Sequence, residues 1–135
     1  MGLTALGARE ILDFVLRGVS PTIPGTVYLR LLTTPSTKTS SGTETTYGNY
    51  VRLALVRSTS LFTDPALTSR STNIDPLIFP APSSLDDDIV AFDIVDTASG
   101  AFTETYLYGF VRPSRSIVAG TKPLKFPSGA LVVTA

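Results

Sequence analysis

Apolar residues recur along this chain at two spacings, and the change from one to the other divides it. Within residues 4–17, Ala8, Ile11, Leu12, Val15 and Leu16 fall three and four positions apart, which aligns them along one stripe of an α-helix. Arg9, Asp13 and Arg17 follow one another at i, i+4 spacing on a polar face. Thr4 is suited to cap the first turn and Gly18 to stop the last. Such a helix either packs its stripe on its own domain or docks on another subunit. Phe14, which stands outside the stripe, argues for the second, with Ile11, Phe14 and Val15 as contact residues.

From residue 27 onward the period is two. Val27, Leu29 and Leu31 alternate with Tyr28, Arg30 and Leu32, and Val51, Leu53 and Leu55 alternate with Arg52, Ala54 and Val56, as in strands with one buried face. Between these runs, residues 33–49 are mostly Pro, Gly, Ser, Thr and Asn, which favour turns and solvated loops and cannot fill a core. This polar segment is expected to face a partner through Thr37 and Lys38. Tyr47 and Tyr50, set beside Gly48 and Asn49, are expected to be partly exposed, so Tyr47, Asn49 and Tyr50 join the contact set.

The remaining punctuation is equally legible. Pro21 and Pro24 make residues 20–25 an extended linker, and residues 58–73 carry at most one short strand near Leu61 and Phe62. Leu77, Ile78 and Phe79 form a short run closed by Pro80 and Pro82. Residues 89–95 and 105–111 read as a β-hairpin turning at 97–100, with Val90, Phe92 and Ile94 on one face, Asp93 on the other, and a bulge or close approach at Gly109. Residues 113–120 read as a loop, followed by short strands at 123–126 and 130–134. The chain is therefore expected to be mainly β: an antiparallel β-sandwich or jelly roll of about seven or eight short strands preceded by one N-terminal α-helix. A single domain over 1–135 is expected, with the helix in 1–18, a linker in 19–26 and the sandwich in 27–135.

Composition changes this picture mainly by exclusion. The chain is 43% hydrophobic and 16% charged, too apolar for disorder, and its 11 basic residues balance 11 acidic ones. No basic excess is available for nucleic-acid phosphates or an anionic membrane, so neither is an expected partner. With no Cys and no His, disulfides, thiolate zinc sites and Ser-His-Asp or Cys-His catalysis are excluded. There is no signal-peptide pattern at the N-terminus, and no apolar run approaches the ~20 residues that span a bilayer. Synthesis as a soluble intracellular protein is expected.

Few residues carry candidate chemistry. Asp86, Asp87 and Asp88 lack the spacing of a calcium loop and read as a solvated approach to a strand. A carboxylate hydrolase would need two acids at a defined separation, and nothing selects a pair among Glu44, Asp93, Asp96 and Glu104. Tyr106, Tyr108 and Phe110 share a face that suits a packed strand better than a sugar platform. No phosphate-binding or dinucleotide motif is present. No catalytic, metal or cofactor site is expected.

Six segments in order resemble a family. They are the helix with its Pro- and Thr-containing linker, VYLRLLTTPST at 27–37, GTETTYGNYVRLAL at 42–55, LIFP at 77–80, IVAFDIVDTASG at 89–100 and AGTKPLKFPSGALVV at 119–133. Together they resemble the small bacteriophage virion proteins of the mycobacteriophage-type tail fibre family. That resemblance implies an antiparallel β fold without catalysis, in a structural component of the virion that associates with itself, as a trimer, and docks on major capsid or tail proteins as a decoration, cement or fibre-base protein. The alternative it leaves open is a host-receptor or glycan-binding fibre module.

Overall fold

In the computed structural model, residues 2–66, 70–84, 87–101, 105–118, 120 and 122–134 are described. After a short strand β1 (Gly2–Leu3), the helix α1 runs Ala5–Arg17. Thr4 caps it by accepting from the Gly7 N–H, and Gly18, in the left-handed conformation, ends it. All further regular structure is β: β2 (Thr26–Thr34), β3 (Thr43–Glu44), β4 (Leu53–Val56), β5 (Arg70–Thr72), β6 (Leu77–Ile78), β7 (Asp87–Val95), β8 (Thr105–Ile117), β9 (Lys125–Phe126) and β10 (Val132–Thr134). A mainly β chain with one helix at its start is what the two spacings predict. No helix among the described residues is long and apolar enough to cross a membrane.

The main sheet is antiparallel, in the order β1-β8-β7-β2, with β4 and then β3 sharing the far edge of β2. Register is set by the pattern. Leu29 and Leu31 lie opposite Ile94 and Phe92, and these join Val27, Leu55, Tyr106 and Val111 in the core on one face. That face is covered by two ribbons, β6 with β9 and β5 with β10, whose Leu77, Phe126 and neighbouring Phe79, Leu124 and Leu131 complete the core. The second layer is therefore a pair of short ribbons in place of the continuous second sheet of an ordinary sandwich. Proline density explains this for β6 and β9, which Pro76, Pro80, Pro123 and Pro127 bracket, leaving little room for a longer ladder.

Four expectations are corrected here. Simple alternation fails for β2, where Leu29, Arg30, Leu31 and Leu32 are all buried, because the opposite face of the sheet is covered as well. Residues 113–117 continue β8 and do not loop. The β8 register slips between Phe110 and Arg115, where β7 advances only from Ala91 to Ile89, so an irregularity absorbs the proline-containing stretch. Gly109 sits in regular register opposite Phe92, and the single-residue bulge falls instead at Tyr106. The short strand expected near Leu61 and Phe62 is reduced to one isolated bridge from Phe62 to Asn73, and the strand of that stretch falls at Arg70–Thr72.

Candidate functional site

The helix is attached to the sheet at one point. Thr4 donates its N–H to the Tyr106 carbonyl, and its hydroxyl reaches the Tyr106 and Thr105 carbonyls. One turn on, Gly7 packs so closely that a Cβ there would stand 2.3 Å from the Tyr106 oxygen. Gly7 is the only buried residue of α1. Beyond it, the apolar stripe faces outward: Phe14 is 56% exposed, Val15 68% and Leu16 75%, with Ile11 and Leu12 about half exposed. At ~100° per residue, the positions from Phe14 through Ile11, Val15, Ala8 and Leu12 to Leu16 cover about 200° of the helix circumference. A globular surface helix normally buries such a face. Here it is presented.

A polar segment seals the other face of the main sheet. Arg30 and Asp93 are direct cross-strand partners, joined by two hydrogen bonds, Nε to Oδ1 at 2.8 Å and Nη2 to Oδ2 at 2.6 Å, with both side chains buried. Ser36 donates to Asp93 Oδ2 at 2.7 Å and in turn accepts from the Gly42 N–H at 2.8 Å. Ser41 accepts from Arg30 Nη2 at 2.7 Å. Residues 35–42 thus form a lid over the ion pair, closed at Gly42, where a Cβ would fall 2.1 Å from the Thr34 oxygen. At its tip, the Lys38 carbonyl accepts from the Ala5 N–H, tying the lid to the start of α1.

Next to the lid lies a second polar cluster. Arg52 donates from Nε and Nη2 to the two Glu44 oxygens, both at 2.8 Å, and from Nη1 and Nη2 to the carbonyls of Thr97 and Gly100. Tyr50 donates to Glu44 Oε1 and accepts from the Leu31 N–H. Burial by itself would raise the Glu44 carboxyl, but hydrogen bonds from Arg52 and Tyr50, with the charges of Arg52 and Arg30, hold it below its ordinary value. Burial pushes the Tyr50 phenol well above its ordinary range, with Glu44 adding to the shift, and burial alone raises Tyr47. The Glu44 contact in turn raises Arg52. The cluster locks the 97–100 turn to the sheet edge.

The expected contact residues fall into three groups. Ile11, Phe14 and Val15 are exposed on α1, and Thr37 and Lys38 sit at the exposed lid tip beside the helix start. Tyr47 is a different matter, whereas Tyr50 is partly exposed as expected. Tyr47 is 2% exposed, in contrast to its expected partial exposure. Its ring packs edge-on to Tyr50, which stacks on Phe79, which meets Phe126, so the pair anchors its segment to the core. Asn49 alone of that group is exposed, at a turn with φ of 71°. The idea that residues 33–49 cannot fill a core is thus overturned at Tyr47 and at buried Ser36 and Thr45.

Among the acids, Asp93 and Glu44 have both oxygens engaged by arginine, Glu104 and Asp86 lie outside the described residues, and Asp88 accepts from Ser116. Gly7, which positions the helix, was not among the expected contacts; a glycine on the buried side of a helix near a capping Thr is the one signal for it. Tyr106 was expected as a strand-face residue and proves to be the helix anchor through its backbone.

Residues 2–134 match the model of a protein family, Gp80, described as podophage GP4 fiber I protein gp80. No curated protein matches the chain.

Proposed function

We propose, from the premise that this chain belongs to the Gp80 family of podophage fibre proteins, that it is a non-enzymatic structural component of the virion. In this reading it associates with copies of itself, as a trimer, and seats on capsid or tail proteins as a fibre-base or decoration protein. The sequence resemblance to tail fibre proteins and the family membership agree on a phage fibre protein. The observation that carries the assembly reading is the exposed arc of α1, a continuous apolar surface rooted on the domain by Gly7. Net charge of zero removes long-range repulsion between copies brought close together. The buried arginine–carboxylate pairs support a scaffold role, since their oxygens are committed to holding the lid and the 97–100 turn. A host-glycan reading gains nothing from buried Tyr47, and half-buried Tyr50 is engaged by Glu44 through its hydroxyl and by Phe79 through its ring.

Light scattering of the purified chain tests this, together with its attachment to particles made without it. A closed homo-oligomer that attaches, and that Val15→Glu shifts toward monomer, is expected. A stable monomer that also fails to attach overturns the reading.

A further inference from the structure

Beside α1 the surface is concave. A cleft of about 200 Å³ runs between Phe14 and Pro21, and a second of about 300 Å³ continues it toward Phe62. They share Ile23, Tyr106 and Leu107, so they form one apolar groove flanking the helix. The side of α1 carrying Gly7, Ile11 and Phe14 borders this groove, while Leu12, Val15 and Leu16 turn away from it. The chain thus presents, next to each other, a convex apolar ridge and a concave apolar trough, each unfilled by its own domain.

Area argues for what fills them. The accessible surface is 7498 Å² for 14.3 kDa. A folded monomer of that mass exposes about 6800 Å². The excess, roughly 700 Å², is close to the ~800 Å² each partner buries in a stable interface. Resting on the self-association reading above, we infer that the groove is the seat for the outer face of α1 from a second copy of this chain. Leu12, Val15 and Leu16 of one copy would enter the trough lined by Leu107 and Phe62 of the next, covering both surfaces with one contact.

The absence of cysteine makes disulfide trapping clean. Two full-length variants serve: Val15→Cys on the exposed ridge and Ser71→Cys on the groove wall, a near-isosteric change. Each is oxidised alone as a control, and the two are also mixed in the reduced state and then oxidised together, while light scattering reports the mass of the unmodified protein. Covalent 15–71 dimers formed in the mixture are expected. An oligomer that yields only 15–15 dimers, or no cross-link at all, overturns the inference while the assembly reading stands. A monomer without cross-links overturns both.

Discussion

Arg30 and Asp93 face each other across β2 and β7 with two parallel hydrogen bonds, on the sheet face opposite the apolar core. A buried ion pair broken on one side leaves an uncompensated charge, which typically costs about 3–5 kcal/mol, whereas replacing both partners by apolar residues of similar volume is often neutral. Asp93→Ala is therefore expected to lower stability by that order, and Arg30→Met with Asp93→Leu by clearly less. Urea midpoints of the two variants check it. Equal losses would show that the pair contributes no more than its volume.

The lid supplies a second test. Ser36 is buried between Asp93 and the Gly42 N–H, so Ser36→Ala is expected to cost about 1–3 kcal/mol for the groups it leaves unpaired. Lys38→Ser, at the exposed tip, should fall within about 0.5 kcal/mol. Thermal melts separate the two. Deleting the whole lid would uncover the ion pair, so a contact role of Thr37 and Lys38 is better probed by substituting those two residues and measuring attachment to particles.

Gly7→Ala sets two effects against each other. Helix propensity favours alanine by about 1 kcal/mol. A Cβ 2.3 Å from the Tyr106 oxygen, which belongs to backbone and cannot swing aside, must lift the helix from β8. Destabilisation is expected, together with faster hydrogen exchange at the Thr4 amide; a gain in melting temperature would show that the contact relaxes freely.

Acid stability follows from Glu44. Its carboxyl is held below the ordinary value of 4.5, so the folded state binds its proton less readily than the unfolded chain. Its contribution is complete above that value and disappears as pH falls through the lowered one. Tyr47 and Tyr50 act on the alkaline side: with phenols raised above 10.0, the fold favours their neutral form, and stability declines as pH rises beyond 10.0. Urea midpoints against pH should fall at both ends, and Glu44→Gln should flatten the acid limb.

Most of the strands and the capped helix were legible because periodicity, Thr4, Gly18 and the prolines act locally. What could not be read depends on what covers each surface. Period-two alternation marks one buried face of β2, yet the lid buries Arg30 on the other, and nothing near Arg30 in sequence reveals that Asp93 will stand opposite. Tyr47 looked like loop because its neighbours are Thr, Gly and Asn; its burial is decided by Phe79, which approaches only after folding, through Tyr50. The stripe on α1 was visible, but whether its own domain covers it turned on a single glycine contact. Of the contact set, the helix and lid residues remain on the surface, and Tyr47 does not.

The way the ends of this fold are fastened has a consequence for the order in which it can form. Thr4 and Gly7 dock on the backbone of Tyr106, β2 finds its inner neighbour only in β7, and β10 closes against β5. Nearly every decisive pairing joins segments far apart in the chain, so on a ribosome the early strands must wait, unpaired on one side, until β7 and β8 have emerged. Such a topology folds slowly, with much of its closure entropy lost before contacts reward it. The apolar ridge of α1 is then synthesised ahead of the strand it roots on and has no anchor until residue 106 arrives.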